Sequence, residues 1–175
     1  MKRSNPSRWL GATCITGMIM MMACGCAGYR LGSNLPKGIT SICIPIFSND
    51  TKEPGLESIL TSAVIQEFQK DGSLKVLSRE YATCLMEVTI RKYELEPLRY
   101  QQGQSLTAQE YRLNITADVI VRRLPGKEIM VDNKGIVGFT TFAALADLPS
   151  ARRTALPKAA ADLGQRLVQC IVEYW

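Results

Sequence analysis

Residues 39–77, ITSICIPIFSNDTKEPGLESILTSAVIQEFQKDGSLKVL, change hydrophobic period twice, and those changes decide the fold. Ile39 to Phe47 predicts a strand, with Ile42, Ile44 and Ile46 on one face and Cys43 and Phe47 on the other. Apolar on both faces, such a strand must be covered or lie beside a partner. Pro45 removes one ladder donor and favours a strand end or an edge. After the turn 48–52, Pro54-Gly55 opens a helix. Its apolar stripe is Leu56, Ile59, Leu60, Ala63, Val64 and Phe68, at helical spacing. Asp71-Gly72 ends the helix, the glycine supplying a left-handed residue. Leu74 to Leu77 is then a short strand. Strand, helix, strand predicts a right-handed crossover joining two parallel strands.

Downstream the period is two. Cys84, Met86, Val88 and Ile90 alternate with Leu85, Glu87, Thr89 and Arg91, and the phase slips near Tyr93 and Leu95, as a bulge would make it. Residues 97–109 form a polar, Gln-rich loop. Tyr111, Leu113, Ile115, Ala117, Val119 and Val121 then face one way; Arg112, Asn114, Thr116, Asp118 and Arg122 face the other. Residues 124–127 turn the chain into a third meander strand, 129–140. Residues 142–155, with Pro149 and Arg152-Arg153, form an irregular lead-in to a last helix that starts near Pro157. Its stripe is Leu163, Leu167, Cys170, Ile171 and Tyr174. The expected fold is α+β: a two-layer sandwich of one mixed, mostly antiparallel sheet with both helices on one face.

Upstream of this domain, Leu10 to Ala23 is an uncharged run of 14 residues behind Lys2, Arg3 and Arg8. A helix of that length reaches only ~21 Å, short of a ~30 Å hydrocarbon core. A basic start, a short apolar run and small residues ending at Cys24-Gly25-Cys26 have the layout of an export signal closed by a lipobox. Residues 1–25 are therefore read as a lipoprotein signal peptide and 26–38 as a lipidated N-terminus and tether. Residues 39–175 are a single α+β domain. Local spacing leaves Cys26 and Cys24 both open as the lipidated residue. Two or more acyl chains anchor a protein durably where one does not.

Removing residues 1–25 leaves 18 basic against 16 acidic residues, because three of the 21 basic residues go with the signal. A net charge of +2 does not support nucleic-acid binding by charge. The chain has no histidine, and after the signal no CxxC or carboxylate cluster with metal-ligand spacing, so no metal site and no cofactor beyond the covalent lipid is expected. Cys43, Cys84 and Cys170 are dispersed and odd in number; each is read as a small buried hydrophobe rather than part of a disulfide framework. No nucleophile–base pair, GxSxG elbow or phosphate-cradling loop is present, so no catalytic residue is assigned.

The ordered series CAGYRLG, LPKGITSICIPIFSNDTKEPGLESILTSAVIQEF, DGSLKV and EYRLNITADV resembles the lipopolysaccharide-assembly lipoprotein family (LptE). The resemblance runs from Cys26 to about Arg122, with a weaker echo in the last helix. It favours Cys26 for lipidation, since the family's cysteine stands just before a Gly-Tyr pair; Cys24 is a departure from that pattern. It implies an outer-membrane lipoprotein on the periplasmic side that partners and plugs a β-barrel translocon, binds lipopolysaccharide and does no covalent chemistry. Arg91, Arg112 and Arg122, on the polar strand rows, are the candidate ligand-binding residues, since guanidinium groups bind phosphates bidentately. The plainer role for any one of them is a cross-strand ion pair, such as Arg112 or Arg122 with Glu87. The loop 97–109, with Arg99 and Tyr100, is a second candidate surface. The alternative function is a structural or pilot lipoprotein of another envelope or secretion complex, built on the same anchor and module.

Overall fold

The computed structural model describes residues 36–100, 108–144 and 147–172, all within one compact unit, Ser33–Trp175. The signal segment, Cys24 and Cys26, most of the tether, and Tyr174 and Trp175 lie outside the described residues. The elements are β1 (Ser41–Cys43), β2 (Ser48–Asn49), α1 (Leu56–Asp71), β3 (Lys75–Val76), β4 (Cys84–Tyr100), β5 (Ala108–Arg123), β6 (Ile129–Ala143) and α2 (Leu148–Val172). The sheet runs β3-β1-β4-β5-β6, with β2 also beside β4. β1 is parallel to β3 and to β4, as a strand–helix–strand crossover requires, and β4, β5 and β6 form an antiparallel meander. Both helices cover one face of this mixed sheet, which is the α+β sandwich expected from the sequence.

Pro45 splits the first strand in two and resets its phase. Ile42, Ile44 and Phe47 are buried, whereas Ile46 is 65% exposed. The expected alternation of Ile42, Ile44 and Ile46 therefore fails at its last member, where Phe47 turns inward instead. Its amide donates to Thr61 Oγ1 at 3.0 Å, and that hydroxyl donates to the Glu57 carbonyl. α1 buries Leu56, Leu60, Thr61, Val64 and Phe68. Ile59, predicted on the apolar stripe, is 41% exposed, because Leu56, Leu60 and Val64 already fill the contact. Gly72, at φ 74°, ends the helix and donates its amide to the Phe68 carbonyl at 3.0 Å.

β4 shifts register between Ile90 and Lys92. Even-numbered residues face the helices before that bulge, and Tyr93 and Leu95, opposite Ile115 and Leu113, face them after it. The strand then continues to Tyr100, so residues 97–100 are strand where a loop was expected. Pro97 is tolerated because β1 and β2 accompany β4 only as far as Ile90, leaving its outer edge unpaired beyond among the described residues. The bulge, Lys92 and Pro97 are devices that discourage strand addition to that edge.

α2 starts at Leu148, well before Pro157. Asp147 caps it: its carboxylate accepts the Ser150 amide at 3.1 Å and its carbonyl accepts the Ala151 amide. Pro149 sits in the first turn and Pro157 in the interior, so the lead-in expected over 142–155 is instead the end of β6 and the first turns of the helix. Arg152 pairs with Glu53 at 3.3 Å and lies over the Tyr93 ring, tying the start of α2 to the loop before α1. At the other edge of the sheet Gly138 is buried directly under Leu163, where a Cβ would overlap the Leu163 side chain and backbone. Cys43, Cys84 and Cys170 are free thiols; Cys84 is buried, which pushes its thiol up to about 11, while Cys43 and Cys170 are half-buried.

Candidate ligand-binding face of the sheet

The helix-free face of the meander is where the polar rows lie. On β5, Leu113, Ile115, Ala117, Val119 and Val121 are buried against the helices, so Arg112, Asn114, Thr116, Asp118 and Arg122 point away from them. The alternation in the sequence places these residues correctly. What it does not show is how their charges are used.

Arg91 is the bulged residue of β4. Its Nε donates to Asp118 at 2.7 Å and its terminal nitrogen pairs with Asp50, beyond β2. β6 also shifts register opposite Asp118, and there Gly135, at φ 72°, donates its amide to the other Asp118 oxygen at 2.9 Å. One carboxylate on β5 thus ties two bulges, one on each flanking strand, at the same level. The Arg91 guanidinium and the Gly135 amide hold the Asp118 carboxyl below the usual carboxylate range, and Asp118 and Asp50 push Arg91 upward. Arg122 Nε donates to Glu87 at 3.0 Å, one of the cross-strand pairs the sequence suggested.

Arg112 is different. Its neighbour across to β4 is Glu96, but Glu96 accepts from Asn114 at 3.4 Å. The Arg112 guanidinium lies 5.2 Å from the centroid of the Phe139 ring, and its Nε is sheltered with no hydrogen-bond partner among the described residues. The three arginines are also far apart. Arg112 and Arg122 are separated along one strand by about 33 Å, and Asp118, which holds Arg91, is about 20 Å from Arg112. They share a face but do not converge on one headgroup. Of the second candidate surface, residues 101–107 lie outside the described residues, as do the side chains of Arg99 and Tyr100.

Two residues at this face were missed in the sequence. Phe139 breaks the polar side of β6, and Arg166 of α2 reaches the same ring at 5.1 Å. The only signal for Phe139 was an aromatic residue on an outward position; nothing in the sequence linked it to Arg166. Among the described residues no group of three His, Cys, Asp or Glu side chains is placed to hold a metal ion. No helix among them is long and apolar enough to cross a membrane.

A family model described as LptE, lipopolysaccharide-assembly, matches residues 39–171. The chain belongs to the LptE family. The match covers the strand–helix–strand unit, the meander and nearly all of α2. Among solved structures, protein XCC0632 from Xanthomonas campestris has the same fold. It is 12% identical with a TM-score of 0.55, and the alignment covers 82% of this chain and 90% of that one. The rare lipoprotein B from Shewanella oneidensis is 16% identical with a TM-score of 0.47, over 77% of this chain and 96% of that one. A search of curated proteins finds no significant match.

Proposed function

We propose that this LptE-family chain is an outer-membrane lipoprotein, anchored on the periplasmic side by acyl chains on Cys26. It partners and plugs a β-barrel that delivers lipopolysaccharide to the cell surface, and it binds lipopolysaccharide during that assembly. The observation that carries the reading is the family match across the whole folded domain, 39–171, rather than across one motif. The fold suits a binding and scaffolding role. A long three-stranded meander keeps one face free of helices and lined with Arg112, Asn114, Thr116 and Arg122. A sheet covered on one face only offers a broad, stiff surface, as a plug against a barrel wall requires. The chain does no covalent chemistry; the lipid on Cys26 is its one attached group, and residues 1–25 direct export and are removed.

Co-purification tests this. The protein is isolated with its native lipid anchor from detergent-solubilised outer membrane, and the bound proteins are identified by mass spectrometry. A stoichiometric β-barrel accompanied by lipopolysaccharide is the expected result. A secretion pore in its place, or recovery with no barrel at all, overturns the reading.

A further inference from the structure

Thr83 stitches three loops together at one end of the sheet. Its Oγ1 accepts the Thr40 and Ser41 amides at 3.1 and 3.0 Å, and its carbonyl accepts the Leu124 amide at 2.9 Å. The Ser41 hydroxyl donates to the Tyr81 carbonyl, and the Lys75 amide donates to the Thr40 carbonyl at 3.1 Å. Residues 36–40, the start of β3, the turn 78–83 and the turn 124–128 therefore form one rim. The end of α1 leads into it through Gly72.

This rim is also where the chain from Cys26 arrives. Ten residues separate Cys26 from Pro36, and ten extended residues span at most ~33–36 Å. β5, with 16 residues at a rise of ~3.3 Å, is about 50 Å long from the rim to the opposite end of the sheet. An acylated Cys26 thus cannot leave the rim farthest from the bilayer, because the tether is shorter than the sheet.

The side chains on the rim suit that position. Lys37, Lys75, Arg79 and Lys127 are exposed and take part in no ion pair among the described residues. Of the acids here, Glu67 pairs with Lys70 at 3.5 Å and Glu128 with Arg123 at 3.7 Å. That leaves Glu80 and Asp71, whose carboxylate also accepts the Ser73 amide at 3.1 Å. Positive charge is in excess. Among it stand Tyr81, 74% exposed, Ile129, 51%, and Leu77, 40%. Basic groups are drawn to anionic headgroups, and a tyrosine with aliphatic neighbours settles at the headgroup level of a bilayer.

We propose that this rim docks on the anionic phospholipid surface in which the acyl chains of Cys26 are embedded. Lys37, Lys75, Arg79 and Lys127 meet the headgroup phosphates, and Tyr81, Leu77 and Ile129 sit among the headgroups. Held this way, the long meander points away from the lipid, and its helix-free face stays open to a barrel. The inference rests on the acylation of Cys26 in the reading above and adds the protein surface that meets the bilayer.

The test uses residues 26–175 with Cys26→Ser, the mature chain without its acyl chains, so that only the protein surface contacts lipid. Flotation is measured with vesicles of phosphatidylethanolamine and phosphatidylglycerol, and with vesicles of phosphatidylcholine alone. The anionic vesicles bind the chain, and added salt releases it. Lys37→Gln, Lys75→Gln, Arg79→Gln and Lys127→Gln each weaken binding about fivefold, and the fourfold variant falls to the phosphatidylcholine level. Arg153→Gln, in the first turns of α2 at the opposite end, leaves binding unchanged. Thermal melting confirms that each variant folds. In the acylated chain with Trp175→Phe, brominated phospholipid quenches Tyr81→Trp fluorescence and spares Leu98→Trp. Equal binding to both vesicles, full binding by the fourfold variant, or equal quenching of the two reporters overturns the proposal. A fourfold variant that loses barrel co-purification but keeps vesicle binding makes the rim a protein contact and overturns it too. Failure of the anchoring reading shows separately, as a wild-type N-terminus without acyl chains by intact mass, and takes the orientation with it.

Discussion

Gly138→Ala tests the packing that keeps the open face open. Gly138 is buried on β6 directly beneath Leu163, which is itself fully buried in α2. The added Cβ would overlap the Leu163 Cβ, Cα and amide nitrogen, and no other atoms are as close. Two of those three atoms are backbone, so a rotamer change does not relieve the clash; the helix must move off the sheet. Overpacking of this kind costs ~1–3 kcal/mol, against a typical domain stability of ~5–15 kcal/mol. For a chain of this size each kcal/mol lowers the melting temperature by about 2–4 °C, giving an expected drop of about 2–12 °C. Urea denaturation and thermal melting of the purified protein measure it. Leu163→Ala in the same chain must not rescue the loss, because alanine keeps the Cβ and the backbone that clash. Gly135→Ala is the contrast. It meets no atom within 4 Å but sits at φ +72°, so it costs only the left-handed strain of about 1–2 kcal/mol. A Gly138→Ala protein within ~0.5 kcal/mol of wild type, the ordinary range for a surface change, would refute the close seating of α2 on β6.

The remaining expectations test other parts of the account. Leu60 and Leu167 are fully buried, one in each helix, and Leu→Ala at either should cost ~2–5 kcal/mol in urea denaturation. Asp118 has its carboxyl held down by Arg91 and Gly135, so its contribution is complete above its unfolded value of about 4 and fades as pH falls through the lower folded value. Asp118→Asn should accordingly be destabilised near neutrality and converge on wild type in strong acid; a gap that persists unchanged to the acid end would show that the ion pair is not its source. Cys26→Ser should give a mature protein without N-terminal acyl chains, or one cut at Cys24, by intact mass. An unacylated wild-type N-terminus elsewhere in the chain would dispose of the lipoprotein reading.

Much of the fold was legible because β5 and α1 each carry a single strong period. Residues 111–122 alternate except at Ile120, and every odd position from Leu113 to Val121 is buried. Errors fell where proline or a bulge competes with the period. Pro45 interrupts the first strand, and the choice between Ile46 and Phe47 is made by Thr61, 14 residues after Phe47, whose hydroxyl receives the Phe47 amide. Pro157 suggested a helix start, yet the Asp147 cap, ten residues earlier, had already begun the helix. The phase slip near Tyr93 was visible; that Arg91 was the bulged residue, and that Asp118 ties it to a second bulge at Gly135, depended on the register of three strands. The candidate face was legible in the same way, as rows. Which partner each arginine takes was not, because Asp50, Glu87 and Phe139 reach the arginines only through the folded sheet.

The central claim is that this chain serves lipopolysaccharide assembly at the outer membrane. The most direct measurement is the amount of lipopolysaccharide at the cell surface, probed on intact cells, as the protein is depleted from its host. The account predicts that surface lipopolysaccharide falls as depletion proceeds, while the same molecules accumulate in inner compartments, and that the wild-type chain restores it. Unchanged surface lipopolysaccharide after complete depletion would contradict it.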